Sequence, residues 1–207
     1  KLNLLNSMTR HDVTNQLTAL QGFAQIAAMK KGDPVMADYL AKILAAADTI
    51  ARQIEFTRTY QELGMKVPAW TTVEKVITHV ESRVPVKFSG TCRGIEILAD
   101  PMLERVFFNL FDNAVRHGVR VTEITVRCER EPDGILVIVE DNGTGVSGAE
   151  KEKIFERGVG QNTGLGLFLV REILSITNIT IKETGVYGKG ARFEISVPEG
   201  MYRFVKP

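Results

Sequence analysis

Asn109 and Asn113 stand four residues apart in a segment otherwise filled by Val106, Phe107, Leu110 and Phe111. On a helix that spacing stacks the two carboxamides on one face. An amide oxygen there can serve Mg²⁺ while water and phosphate complete the shell, although such a pair, taken alone, more often caps or faces solvent. Asp141-Asn142-Gly143-Thr144-Gly145 directly follows an apolar strand candidate. Its glycines let the backbone approach a flat ligand closely, or simply turn the chain. Thr163-Gly164-Leu165-Gly166-Leu167 opens a helix candidate, where free N–H groups and the helix dipole favour phosphate oxygens, though glycines also ease packing there. The fourth group is His11, within Arg10-His11-Asp12-Val13-Thr14-Asn15. A neutral imidazole nitrogen is a competent phosphoryl acceptor, yet a lone helical histidine is usually only a surface or interface residue.

The elements that must position these groups follow from hydrophobic periodicity. Leu2, Leu5, Met8, Leu17, Leu20, Ala24 and Ala27 recur at mostly helical spacings, predicting one long helix to about Met29. Lys30-Lys31-Gly32-Asp33-Pro34 supplies a helix exit and a restart, and a second helical run follows through Leu63. The result is an antiparallel hairpin of helices about 40 Å long. Two helices cannot bury both apolar faces alone, so a homodimeric four-helix bundle is expected. Gly64 to Thr72, with Pro68 and Trp70, reads as the linker between domains at 1–66 and 67–207. Beyond it the pattern predicts helices at Val73–Ser82, Met102–His117 and Leu165–Thr177. Strands are predicted at Pro85–Ser89, Ile95–Ala99, Val121–Glu129, Ile135–Glu140, Ile179–Glu183 and Ala191–Val197. The third and fourth of these form a hairpin across Glu131-Pro132-Asp133-Gly134. The fold class is α+β: a helical hairpin followed by helices on one face of a mixed sheet.

The order of the motifs carries more than any one of them. Asn-x-x-x-Asn on a helix, Asp-x-Gly-x-Gly after a strand and Gly-x-Gly before a helix resemble the N, G1 and G2 boxes of the GHKL ATPase superfamily. Ile154-Phe155-Glu156-Arg157 looks like its F box, and Gly188-Lys189-Gly190-Ala191-Arg192-Phe193 is similar to its closing glycine-rich strand. The resemblance implies that ATP lies across an α/β sandwich. Asp141 would accept the adenine amino group, in a turn made by Gly143 and Gly145. Asn113 with Asn109 would hold Mg²⁺, Arg116 would approach the phosphates, and Thr163, Gly164, Leu165 and Gly166 would cradle them through backbone donors.

Hydrolytic members of that superfamily carry a water-activating glutamate where this chain has Asn109. An amide cannot accept a proton at neutral pH, so hydrolysis is disfavoured and the γ-phosphoryl group awaits a better nucleophile. The segment from His11 to Asn15 resembles the H box of sensor histidine kinases, which extends the likeness to the whole chain. It implies autophosphorylation of His11 and transfer to an aspartate of a response-regulator receiver domain. Asp12 would fix the imidazole tautomer, and Asn15, one turn on, would help position water for dephosphorylation of the partner. A GHKL-type ATPase and a non-catalytic phosphotransfer scaffold are the alternatives. The stretch 146–163 would form a short ATP lid, with Gln161-Asn162 where glycine or serine is commoner.

Composition narrows the setting. A net charge of +1 over 207 residues gives no basic field for nucleic acid. Cys92 and Cys128 lack metal-ligand spacing and are expected as reduced, packed thiols in a cytoplasmic setting. No apolar run suits a membrane span, so no membrane contact is expected. The opening at Lys1 suggests a fragment whose sensory domain lay N-terminal.

Overall fold

The computed structural model describes residues 2–29, 34–82, 87–89, 92–159 and 164–205, with the side chains of 2–12, 28, 29 and 88 outside the description. The chain forms two compact units, Lys1–Gln61 and Glu62–Pro207.

The first unit is two helices, α1 (Leu2–Met29) and α2 (Pro34–Glu62). Leu17, Ala24, Leu40 and Ala47 are buried, and Gln21 donates to Asp48 across the pair. A large apolar set stays in water: Phe23 is 73% exposed, Ile26 58% and Tyr39 57%. Two helices enclose only the narrow seam between them, so the remaining stripe stays uncovered within one chain.

The second unit has two sheets. The larger runs β2 (Lys87–Ser89), β4 (Glu123–Glu131), β5 (Gly134–Asp141), β7 (Arg192–Pro198), β6 (Thr180–Glu183), with β2 parallel to β4 and the other pairs antiparallel. The β4–β5 hairpin turns at 132–133, since Glu131 pairs with Gly134. Its inner face carries Val126, Val137, Val139, Phe193, Ile195 and Ile181, all buried. Helices α3 (Val73–Glu81), α4 (Leu103–His117) and α5 (Gly166–Ser175) complete the core with Val80, Phe107, Leu110, Phe111, Val170 and Ile173. A mixed sheet with helices is the α+β class the sequence implied.

On the outer face of that sheet Ile138 is fully buried. Its cross-strand neighbours are Arg127 and Glu194. Arg127 donates to Glu129 and Glu140, and Arg192 to Glu194, so paired charges on apolar stems lie across the central strand.

Two expectations need correction. The supposed linker ends in a strand, β1 (Ala69–Thr72), antiparallel to β3 (Ile95–Ala99), and β8 (Tyr202–Phe204) joins β3 on the other side. This three-stranded sheet was illegible because its outer strands are three and four residues long. Trp70 lies on its open face, under the Arg203 guanidinium at 4.4 Å, while Arg203 also pairs with Glu96. Second, Cys92 and Cys128 form a disulfide, with Cα atoms 5.2 Å apart. The parallel register explains it: Ser89 opposes Thr125, an offset of 36, and the same 36 separates the two cysteines. Sequence spacing alone cannot show that register. Of the strand expected over Pro85–Ser89, Lys87–Ser89 forms β2, and 85–86 lie outside the described residues.

The native chain, unfolded without reductant, is expected to show no free thiol. Reduction should cost about 3–4 kcal/mol of stability for a loop of this length. A thiol assay and paired melting curves check both.

Candidate functional site

Helix α4 owes its form to a run of apolar residues at helical spacing, and Asp100 secures its start. That buried carboxylate accepts from Met102 N at 2.8 Å and from Gly64 N at 3.2 Å. Asn109 and Asn113 project from the half-buried flank of α4. Asn109 Nδ2 donates to Gly166 O at 3.3 Å, which ties α4 to the first residue of α5. Asn113 makes no side-chain hydrogen bond among the described residues. Arg116, a turn beyond Asp112, is ion-paired with it at 2.7 Å on the exposed side of the helix.

Asp141 ends β5 on the sheet's inner face and is buried. Its Oδ1 accepts from Gly143 N at 2.8 Å and Ala191 N at 3.2 Å, and its own N–H donates to Ala191 O at 3.0 Å. Burial pushes its proton affinity above that of an ordinary aspartate; the two backbone donors oppose this, and the charges of Glu183 and Glu140 reinforce it. The turn that follows needs its glycines. A Cβ on Gly143 would lie 2.6 Å from Gly118 O, and Gly145, at φ +70°, would meet Gly190 O at 2.5 Å. Asn142 points away from Asp141 and pins the start of β4, accepting from Thr122 N and Glu123 N.

Gly164 closes on Gly158, whose N–H donates to its carbonyl at 3.1 Å. Leu165 caps α5 and Gly166 begins it, with only Asn109 nearby on the side where a Cβ would stand. Thr163 lies outside the described residues. Phe155, in a short 3₁₀ turn (Lys153–Phe155) within the stretch 146–163, is buried edge-on against Phe193. Asn109, Asn113, Asp141, Gly143, Gly145, Gly164, Leu165 and Gly166 therefore all belong to the second unit.

The remaining candidates belong to the first. His11, Asp12 and Asn15 lie on α1. Positions 11 and 15 share a helix face. The side chain of Asn15 is exposed, and those of His11 and Asp12 lie outside the description.

Two side chains at the site escaped the sequence reading. Glu183, ending β6, is enclosed and holds the loop that carries Ala191, and Lys151 is its ion-pair partner at 2.8 Å. The signal was present for Glu183: strand alternation puts it on the same inward face as Ile181. A carboxylate there requires a partner.

Residues 99–201 match the family described as histidine kinase-, DNA gyrase B-, and HSP90-like ATPase. The signal transduction histidine-protein kinase AtoS of Escherichia coli K12 is 27% identical over 208 residues, covering 91% of this chain and 33% of that protein. The sensor histidine kinase ZraS of Salmonella typhi is 30% identical, covering 91% and 44%. Full-length ShkA, solved in complex with AMPPNP, superposes with a TM-score of 0.68 over 98% of this chain and 46% of its own, at 20% identity. The chain thus spans between a third and a half of these proteins.

The Asp141 carboxyl is expected to titrate above the usual aspartate range, as a carbonyl ¹³C titration would read. Between its unfolded and folded values the folded state binds the extra proton, so this group's contribution to stability falls as pH rises through that window. A ligand that donates a hydrogen bond to the carboxylate should bind more weakly as pH drops through the same range.

Proposed function

We propose that this chain is a catalytic core of the sensor histidine kinase type and that it phosphorylates its own His11 from ATP; the match of residues 99–201 to the ATPase family and the likeness to sensor kinases support this reading. The contact that most supports this reading is Asn109 Nδ2 on Gly166 O. An amide, not a carboxylate, occupies the position from which hydrolytic relatives activate water, and an amide cannot take the proton. The γ-phosphoryl group then goes to the imidazole: the nitrogen–phosphorus bond forms as the bond to the ADP oxygen breaks. Asp12 holds the ring tautomer and offsets the positive charge that develops on it.

Nucleotide binding rests on Asp141, which presents a desolvated carboxylate to the adenine amino group. The N-terminus of α5 and the Gly164 turn offer backbone N–H groups to the phosphates. The residues present fit Mg²⁺ brought in by the nucleotide. Among the described residues no cluster of three or more His, Cys, Asp or Glu could hold a metal unaided, whereas Asn113 has an uncommitted carboxamide on the flank it shares with Asn109. Mg²⁺ held there by Asn113 and Asn109 would neutralise phosphate charge. Arg116 reaches the phosphates only by leaving Asp112.

The phosphoryl group passes to an aspartate of a separate receiver domain, and Asn15 positions water for the reverse dephosphorylation. The exposed apolar stripe of Phe23, Ile26, Tyr39 and Ile43 supports a homodimeric bundle. No described helix is long and apolar enough to cross a membrane. A sensory domain is proposed N-terminal to the chain. We place the catalytic core in the cytoplasm, where thiol buffers would act against the Cys92–Cys128 bond.

Incubation with γ-labelled ATP and Mg²⁺ tests the reading. The expected result is acid-labile label on the chain, reduced to background by His11→Gln. Steady phosphate release without label would make the protein an ATPase, and neither label nor release would leave it a scaffold.

A further inference from the structure

The inner face of the large sheet ends in two carboxylates rather than one. Asp141 closes β5 and Glu183 closes β6, and the loop 184–191 runs between them. Both carboxylates hold that loop by its backbone. Asp141 Oδ1 takes Ala191 N, while Glu183 Oε1 takes Gly185 N at 3.0 Å and Arg192 N at 3.1 Å. The side chain of Glu183 has no exposure to solvent. Its second oxygen, Oε2, accepts no hydrogen bond and faces the ammonium of Lys151, 2.8 Å away.

Lys151 reaches this place from the segment between the Asp141 turn and the 3₁₀ turn. Three quarters of its side chain is covered, and its ammonium also donates to Gly185 O. The charges that bear on Asp141 are those of Glu183 and Glu140. Glu140 is on the outer face, engaged by Arg127 with Arg192 beyond it. Glu183 is therefore the one acidic neighbour on the inner face, and Lys151 is its counter-charge. Burying an anion without such a partner is strongly unfavourable.

We propose that Lys151 is a positioning residue of the nucleotide site: paired with the buried Glu183, it offsets the inner-face charge that bears on Asp141, and so helps maintain the carboxylate that receives the adenine amino group. This rests on the ATP-binding reading above. Lys151 touches neither nucleotide nor histidine in this scheme; it acts through Glu183 and the loop both carboxylates share.

The test is equilibrium binding of a fluorescent ATP analogue to the whole chain, with label transfer at saturating ATP as the second readout. Lys151→Met should weaken binding about tenfold with saturated transfer unchanged, and Lys151→Arg should bind like the unmodified chain. The deciding variant is Lys151→Met with Glu183→Gln, which removes both charges but leaves an acceptor for Gly185 N and Arg192 N. Restored binding supports the electrostatic role; binding as weak as in Lys151→Met overturns it, because Lys151 is then only a tether to Gly185. If Lys151→Met alone fails to fold, the double variant decides against the unmodified chain. Unchanged binding in Lys151→Met overturns the proposal while the ATP reading stands, provided Asp141→Asn abolishes binding. Analogue binding indifferent to Asp141→Asn overturns both.

Discussion

The paired contact between Asp141 and Ala191 sets the geometry of the whole nucleotide end. Ala191 both donates to and accepts from the same residue, and its N–H falls on the carboxylate oxygen that Gly143 N also occupies. Two backbone donors on Oδ1 fix the rotamer of a buried side chain. The turn after β5, the loop before β7 and the close approach of Gly145 to Gly190 then have little freedom left. Thr144 extends the clasp, donating to Gly118 O at the end of α4 and accepting from Gly188 N. The helix with the asparagines, the aspartate and the glycine loop are thus knit through main-chain bonds, with side chains needed only at the ends.

Much of this was readable from one sequence because the pattern and the packing agree. In α4 the apolar spacing names the buried residues Val106, Phe107, Leu110 and Phe111, and the Pro132-Asp133 turn fixes the register of the longest hairpin. The nucleotide motifs are local in sequence, so their order survives without a structure. The pieces that were missed depend on distant partners. Strands β1 and β8 are too short to show alternation, and each is a strand only because β3 lies beside it. The cysteines meet because a three-residue parallel pairing sets their offset. Lys151 looks like one charge among several in Glu150-Lys151-Glu152-Lys153 until Glu183 is placed behind it.

The division of chemistry between the units has a logic of its own. The second unit closes its own core and contains the candidate nucleotide-binding residues. The first does not close its own, because a pair of helices has more apolar surface than it can enclose. In the function proposed above, His11 on such a helix is the phosphoryl acceptor, because position 109 carries an amide rather than a water-activating carboxylate.

The ionic cover over Ile138 has a consequence for the back of the large sheet. Beneath it the central strand is as apolar as any core strand; above it stand Glu129, Glu140 and Glu194 with Arg127 and Arg192, and Lys182 lies opposite Glu194 on the same face. A second layer stacking there would have to strip water from all of these charges at once. The sheet is thereby one-sided: helices pack on the face that holds Asp141, and a charged, wetted face turns outward.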